Sequence, residues 1–225
     1  MDLKKIVPWG RSFNEYQKMF ALSDIDLRKR ILGCGDGPAS FNAELTALGG
    51  KVISVDPTYQ FDAASLKTRI DDAYDEVMPQ ALKNRNDYVW GSIPSVDALG
   101  KMRMDAMNKF IDDFEIGKEA GRYKCESLPK LSFEDKQFDL ALCSHYLFLY
   151  SDHVGLAEHL ASVKELCRVA IETRIYPLVT LKGKISPHLD PVITELNTLG
   201  LSAALVPVEY QFQRGAAQML VVKSI

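Results

Sequence analysis

The fold is decided by one stretch near the N-terminus, Arg30-Ile31-Leu32-Gly33-Cys34-Gly35-Asp36-Gly37-Pro38-Ala39-Ser40. Its apolar start predicts a short strand, and its three alternating glycines predict a tight loop. Pro38 suits the first position of a helix, which Gly49-Gly50 would end. Lys51 to Val55 is rich in β-branched residues and predicts a second strand that stops at Asp56. This βαβ unit predicts a parallel sheet with a right-handed crossover.

The composition is that of an ordinary globular protein. The 225 residues are 47% hydrophobic and 25% charged, with a net charge of −3, which argues against nucleic-acid binding and against an anionic membrane surface. No apolar run approaches the roughly 20 residues of a membrane helix, and Met1 to Lys5 lacks the apolar stretch of a secretion signal. The scattered cysteines form no C-x-x-C pair, so we expect reduced thiols in a cytoplasmic protein.

The region from Pro57 to Gly121 shows no convincing strand. Apolar residues recur there twice at helical spacing, although Pro79 is expected to kink or break the first helix. A crossover needs one helix, so the excess predicts a helical insertion over about residues 57–121. Two interpretations stay open: a lid over a ligand, or helices that cover one face of the sheet.

The rest of the chain continues the alternation of strands and helices. Phe138 to Ser144 is typical of a buried central strand. Leu201 to Val208 and Ala217 to Val222 are joined by a segment too short for a helix, so this last pair should be antiparallel. With a helical arm over residues 1–29, we expect a single domain over residues 1–225.

The glycine loop has the features of a ligand site. Glycines let the backbone come close to a ligand, and the free N–H groups of a helix from Pro38 would suit a carboxylate or phosphate. Asp56, at the end of the second strand, could accept hydrogen bonds from ribose hydroxyls. A dinucleotide loop needs a third small residue where this chain has Pro38, which favours a single nucleoside. The alternative is a structural turn followed by a surface aspartate.

Three segments carry a family resemblance. Gly33 to Gly37, followed by Val52 to Asp56, is similar to the first two motifs of class I S-adenosylmethionine-dependent methyltransferases. Leu128 to Leu140 is similar to that family's approach to its fourth strand, and the terminal hairpin also matches. The resemblance covers roughly residues 30–225 except the inserted helices. It implies an α/β fold, a Rossmann-like doubly wound seven-stranded mostly parallel sheet with an antiparallel C-terminal strand.

The resemblance also implies a cofactor, S-adenosyl-L-methionine, and a set of residues around it. The implied cofactor-binding residues are Gly33, Cys34, Gly35, Asp36, Gly37, Asp56, Pro57, Ser127, Leu128, Cys143 and Ser144. The family usually has an acid two residues before the first glycine, where this chain has Ile31. Asp36 or the backbone carbonyl of Ser144 is therefore the candidate to hold the amine of the methionine moiety.

Two side chains at the predicted strand ends could act on a methyl acceptor. His145 follows the central strand and is the candidate catalytic residue, as a general base; direct substrate contact and a structural role are the alternatives. Arg174 could bind an acidic substrate or pair with a local carboxylate. Tyr88 and Trp90 could belong to a hydrophobic lid. The histidines have no ligand spacing, so no metal is expected.

The sequence thus favours methyl transfer to an unidentified acceptor, most simply a small molecule. An N-P-P-Y run, the signature of enzymes acting on nucleobase or glutamine amides, is absent. Two alternatives remain: a non-catalytic S-adenosylmethionine-binding protein and an NAD-type oxidoreductase. The sequence does not indicate an oligomeric state.

Overall fold

The computed structural model describes residues 7–224 as one α/β layered structure. Residues 1–6 of the predicted N-terminal arm, and Ile225, lie outside the described residues. The division of the whole chain into one domain stays a prediction. The strands are β1 (Arg30–Cys34), β2 (Lys51–Val55), β3 (Tyr123–Lys124), β4 (Phe138–Ser144), β5 (Ala170–Tyr176), β6 (Leu201–Pro207) and β7 (Gln218–Ser224).

The seven strands form one sheet in the order β3-β2-β1-β4-β5-β7-β6. Neighbouring strands from β3 to β5 are parallel, whereas β7 runs antiparallel to both β5 and β6. The fold that the sequence predicted is therefore confirmed, including the reversed C-terminal strand. The chain leaves β1 in one direction along the sheet and returns to β4 on the other side, which makes the β1–β4 boundary the topological switch point.

Strand alternation divides the hydrophobic core between the two faces of the sheet. Ile31 of β1 and Leu142 of β4 face one layer, which contains α1 (Phe13–Met19) and α2 (Phe41–Ala47). Leu32 and Cys143 face the other, which contains α5 (Leu156–Val169) and α6 (Leu189–Thr198). Central strands are thus apolar on both sides, as parallel sheets covered by helices require.

The insertion consists mainly of two long helices. α3 spans Ala63–Lys83 and α4 spans Val96–Glu119, and the two pack against each other. Of the two effects expected of Pro79, a break does not occur, because α3 runs through it. Pro79 lies on the exposed side of α3, so its ring points away from the core, and water can satisfy the carbonyl that loses its bond. The buried face of α3 continues past it to Ala81.

Several boundaries differ from those predicted. α2 begins at Phe41, with Ser40 as its N-cap residue, so Pro38 lies in the loop and not in the first turn. The third strand, β3, lies at one edge of the sheet and is only two residues long. The side chains of Ser151 and Asp152 are of the type that favours a helix N-cap, but α5 begins at Leu156 with Gly155 as its N-cap residue. In the described part of the chain, each helix is too short or too polar to cross a bilayer.

Candidate functional site

A cavity of about 470 Å³ opens at the carboxyl edge of the sheet, above the β1–β4 boundary. The glycine loop and the ends of β2, β4 and β5 form its floor, and the segment after Val7 crosses above them. Nine of the predicted cofactor residues line it: Cys34, Gly35, Asp36, Gly37, Asp56, Pro57, Ser127, Leu128 and Ser144. His145 also lines it. Topology alone brings these distant segments together, because parallel strands end at the same edge.

Two predicted cofactor residues are not in the cavity wall. Gly33 makes room for the Asp36 carboxylate and not for a ligand, since a Cβ at position 33 would collide with that carboxylate. Cys143 belongs to β4, and its side chain is fully buried in the hydrophobic core. Gly35 and Gly37 do face the cavity, and both have positive φ, 68° and 49°, which favours glycine.

Asp56 is held at the end of β2 by its own neighbours. Its Oδ1 accepts bonds from the Thr58 N–H (2.8 Å) and hydroxyl (2.5 Å), and its Oδ2 accepts one from the Gly37 N–H (3.0 Å). Burial raises the pKa of this carboxyl, although these bonds oppose the shift. A carboxylate has room for further donors, so Asp56 can accept ribose hydroxyls without leaving the loop.

Asp36 is the second buried carboxylate of the loop. Its oxygens accept bonds from the Tyr16 hydroxyl (2.7 Å) and the Ser54 hydroxyl (2.6 Å). Burial nevertheless raises its pKa to about 6, so it titrates near neutral pH. Ile31, where the family usually has an acid, is fully buried in an apolar cluster with Tyr16. Asp36 is therefore the carboxylate that this chain offers in its place.

The loop leaves few N–H groups for a ligand. Gly35 donates to the Val55 carbonyl (3.0 Å), and Ala39 donates to the Asp36 carbonyl (3.2 Å). Ser40 donates to the Arg11 carbonyl (3.0 Å) from the segment that crosses above. The expectation of a free helix N-terminus at Pro38 is therefore wrong. Because the N–H groups of the loop form hydrogen bonds within the loop and its neighbouring segments, the polar groups that remain for a ligand are mainly carboxylates.

His145 sits at the end of β4 in a strained position. Its φ is +51°, its N–H donates to the Tyr176 carbonyl (2.7 Å), and its Nδ1 lies 3.0 Å from the Ser144 hydroxyl. Burial, and then Arg11 and Arg103, hold its pKa well below the ordinary value, so the ring is neutral at neutral pH. The described residues give Nε2 no hydrogen-bond partner, and His145 lines the cavity.

The far end of the cavity is aromatic and comes from three separate regions. The insertion contributes Val77, Ala81, Tyr88 and Leu99, the β4 exit contributes Tyr146 and Tyr150, and the segment before β7 contributes Tyr210 and Phe212. The inserted helices therefore form part of the cavity wall. Trp90 packs edge-on against Phe212 and is outside this wall. Sequence reasoning missed Tyr210 and Phe212, which carry no motif.

Arg174 does not face the cavity. It is buried against the N-terminal layer, where it pairs with Asp26 (3.2 Å) and Glu172 (2.6 Å) and donates to the Phe20 carbonyl (2.7 Å). Of the two roles predicted for it, pairing with local carboxylates is the one observed. Strand alternation explains this, since its neighbours Ile175 and Thr173 point to the opposite face.

Three charged residues that the sequence did not single out surround the aromatic end. Arg103 is fully buried and pairs with Glu15 at 2.5 Å. Although burial alone would raise it, the pKa of Glu15 is lowered to about 2 by Arg103. Arg11 lines the cavity beside this pair. Glu126 lines the opposite end, next to the predicted Ser127.

One close relative is found by sequence. The chain is 30% identical over 225 residues to the uncharacterized protein MJ0045 of Methanocaldococcus jannaschii, an alignment that covers 99% of this chain and 98% of the relative. The chain belongs to the same family as MJ0045. No family model matches the chain.

Several solved structures show a distant similarity to this member of the MJ0045 family. Among them is the PH0226 protein of Pyrococcus horikoshii OT3, with 16% identity, a TM-score of 0.44, and coverage of 88% of this chain and 82% of that one. Another is the magnesium protoporphyrin IX methyltransferase of Synechocystis PCC 6803 with bound S-adenosylhomocysteine, with 12% identity, a TM-score of 0.44, and coverage of 95% of this chain and 94% of that one. The resemblance to the class I methyltransferase family is confirmed at the level of this fold. Among residues 7–224, no group of three His, Cys, Asp or Glu side chains is arranged to hold a metal.

Proposed function

We propose that the protein binds S-adenosyl-L-methionine and transfers its methyl group to a small-molecule acceptor. The observation that carries this proposal is the continuity of the cavity. The glycine loop that carries the two buried carboxylates, Asp36 and Asp56, opens into the same space as the neutral ring of His145. A cationic nucleoside at the loop and an acceptor at the histidine would then be in contact, which methyl transfer requires.

The self-bonded loop argues against an NAD-type cofactor. A dinucleotide needs free N–H groups at a helix N-terminus for its pyrophosphate. Here the N–H groups of Gly35, Gly37, Ala39 and Ser40 are used within the protein, and Pro38 has none. Buried carboxylates would repel a pyrophosphate, whereas they suit the ammonium and sulfonium charges and the ribose of S-adenosylmethionine. The residues present therefore fit this cofactor.

The chemistry that the cofactor supplies is a methyl group on a positively charged sulfur, ready for in-line displacement. Asp56 holds the ribose hydroxyls, and Asp36 compensates the charge of the amine. The aromatic wall excludes water and aligns the acceptor. His145, neutral at Nε2, takes the acceptor's proton when the acceptor atom carries one, and Ser144 fixes the ring through Nδ1.

A titration tests the cofactor assignment. Calorimetry with S-adenosylmethionine, S-adenosylhomocysteine and NAD is expected to show binding of the first two alone. NAD binding without the others would overturn the assignment. A metabolite extract supplied with labelled S-adenosylmethionine then tests catalysis. Binding without transfer of label to any compound would favour the alternative that the protein binds the cofactor without catalysis.

Once an acceptor is found, His145→Ala tests the proposed base. We expect turnover to fall by roughly 10²–10⁴-fold, the usual contribution of a positioned general base. S-adenosylhomocysteine affinity should stay within about twofold, because His145 lies at the acceptor end. Full turnover of the variant would remove His145 from the mechanism.

A further inference from the structure

One arginine in the cavity wall has no acidic partner. Arg11 Nη1 donates to the backbone carbonyls of Trp9 (2.7 Å) and Gly10 (3.5 Å). Its Nε is buried without a hydrogen-bond partner. The described residues give this guanidinium no ion pair, and its Nε and Nη2 edge is left unused. An unpaired charge removed from bulk water is costly unless something compensates it.

The nearest acid is already committed elsewhere. Glu15 Oε2 accepts bonds from the Ser12 N–H (2.9 Å) and from Arg103 (2.5 Å), and its Oε1 accepts one from the Tyr210 hydroxyl (2.6 Å). Glu15 is thus bonded to Arg103 and not to Arg11. Burial, followed by repulsion from Arg103, lowers the pKa of Arg11, as expected for a cation without its own counterion. The cavity end near Tyr210 therefore carries an excess positive charge.

Arg11 shares its space with the proposed base and with apolar walls. Its field lowers the pKa of His145, and it opposes the burial that raises the pKa of Tyr150 and Tyr176. The surrounding wall is aromatic and aliphatic, formed by Trp9, Tyr88, Leu99, Leu149, Leu181 and Phe212. A ligand that fits here has an apolar body and one anionic group.

We propose that Arg11 binds a carboxylate of the methyl acceptor, and that the acceptor is an apolar carboxylic acid. This rests on the proposed function for the identity of the ligand as an acceptor. Arg11 lines the cavity, and its Nε and Nη2 N–H groups have no acceptor among the described residues. Two such donors on one side of a guanidinium match the two oxygens of a carboxylate. Bound in this way, the acid would compensate the charge of Arg11 while its apolar body lies between Arg11 and His145.

Binding of model acids tests this assignment. The full chain, saturated with S-adenosylhomocysteine, is titrated calorimetrically with benzoate, 4-hydroxybenzoate and indole-3-acetate, each beside its amide. We expect at least one acid to bind about tenfold or more tightly than its amide, the usual difference for a charge-assisted bond. Arg11→Met should remove this preference. Arg11→Lys should retain part of it, because an ammonium lacks the fork.

The controls separate charge from folding. Arg85→Met removes an exposed arginine outside the cavity and should keep the wild-type preference. Circular dichroism checks each variant, and if Arg11→Met does not fold, Arg11→Lys alone decides. The proposal is overturned if no acid binds better than its amide, or if folded Arg11→Met keeps the preference. Where only Arg11→Lys folds, an undiminished wild-type preference in that variant overturns it. If phenyl phosphate bound more tightly than every carboxylic acid, and this binding depended on Arg11, the assignment of a carboxylate as the ligand of Arg11 would be overturned.

The proposed function fails by a different result. S-adenosylhomocysteine is first titrated alone into the wild-type chain. If it does not bind, the cofactor assignment fails, and the acids are then titrated without it, which still tests Arg11. If it binds and the acids show no dependence on Arg11, the anion site alone is wrong.

Discussion

The two ends of the cavity differ in charge and in origin. The loop end is acidic, with Asp36, Asp56 and Glu126 in its wall, whereas the aromatic end carries Arg11 with Arg103 behind it. The acidic residues lie at or beside the ends of β1, β2 and β3, and the basic ones lie on the N-terminal segment and the insertion. One cavity therefore offers opposite electrostatic environments to two ligands.

This difference shows how the cavity can keep its ligands apart. A cationic cofactor is attracted to the loop and repelled from Arg11, and an anionic acceptor is attracted the other way. Each ligand thus has one favourable end. A substitution at one end of the cavity should therefore leave ligand binding at the other end unchanged, unless the two ends are not separate.

The largest effect is expected from Arg103→Met at the basic end. The change leaves Glu15 buried without its partner, so the free energy of unfolding should fall by about 3–5 kcal/mol in urea denaturation. Arg30→Met is the control, because its ion pair with Asp139 is exposed and should contribute about 0–1 kcal/mol. A small loss in Arg103→Met would mean that Arg11 turns to Glu15 instead, and that Arg11 is not reserved for a ligand.

At the acidic end, Asp36 should make ligand-free stability depend on pH. Its pKa is about 6 in the folded protein and 3.8 ordinarily, so the folded state holds the proton more tightly. Its contribution is favourable below pH 4 and is lost as pH rises through 6, by about 3 kcal/mol in all. The measurement is the difference in unfolding free energy between wild type and Asp36→Asn across pH 4–8.

The same residue should make cofactor binding depend on pH. S-adenosylmethionine affinity of the wild type is expected to rise as Asp36 ionises near pH 6, since the ionised form attracts the cofactor's positive charges. Asp36→Asn should flatten this profile. A rise of the same size in the variant would assign it to another group and would leave Asp36 a structural role.

A smaller effect is expected for Asp56→Ala, also at the acidic end. Loss of a charge-assisted bond to ribose should weaken S-adenosylhomocysteine binding by about 1.5–3 kcal/mol in calorimetry. Asp62→Ala is the matched control: Asp62 caps α3 on the surface, so its loss should cost about 0.5–2 kcal/mol of stability and no affinity. Unchanged affinity in Asp56→Ala would show that the ribose lies elsewhere.

The smallest effect concerns the backbone where the two ends meet. His145→Gly should be about 1 kcal/mol more stable than His145→Ala, because a φ of +51° strains any residue with a Cβ. Ala21→Gly, at a φ of +47° outside the cavity, should gain a similar amount and serves as the control. Thermal unfolding of the three variants measures this. Equal stability of the His145 pair would mean that the loop relaxes once the imidazole is gone.

The acidic end could largely be predicted from sequence, and the reason is local. Gly35, Gly37 and Asp56 are fixed by the βαβ unit, whose spacing is visible within 27 residues, from Arg30 to Asp56. Glu126 was not predicted, although its neighbour Ser127 was, because β3 is too short for a sequence pattern to locate its end. The role of Gly33 could not be predicted from the sequence either, because its contact with the Asp36 carboxylate forms only in the folded loop.

The basic end could not be predicted, because no motif links its parts. Arg11, Tyr88 and Tyr210 come from an N-terminal segment, a connection between two inserted helices and a loop before the last strand. Their meeting depends on how α3 and α4 pack, which periodicity does not specify. For Arg174 the sequence correctly predicted a position near the end of a strand. It did not predict that the side chain points away from the cavity and pairs with Asp26.

The crossing of the N-terminal segment over the glycine loop has a consequence for engineering. Gly10 lies against the Pro38 carbonyl, and no side chain fits there, so residues 7–12 are seated on the loop. Yet this segment contributes no strand to the sheet, and its Arg11 lies at the aromatic end of the cavity. Exchanging a single side chain on it, with Gly10 retained, is a route to altering the choice of acceptor in this scaffold while the sheet and the cofactor loop keep their sequence.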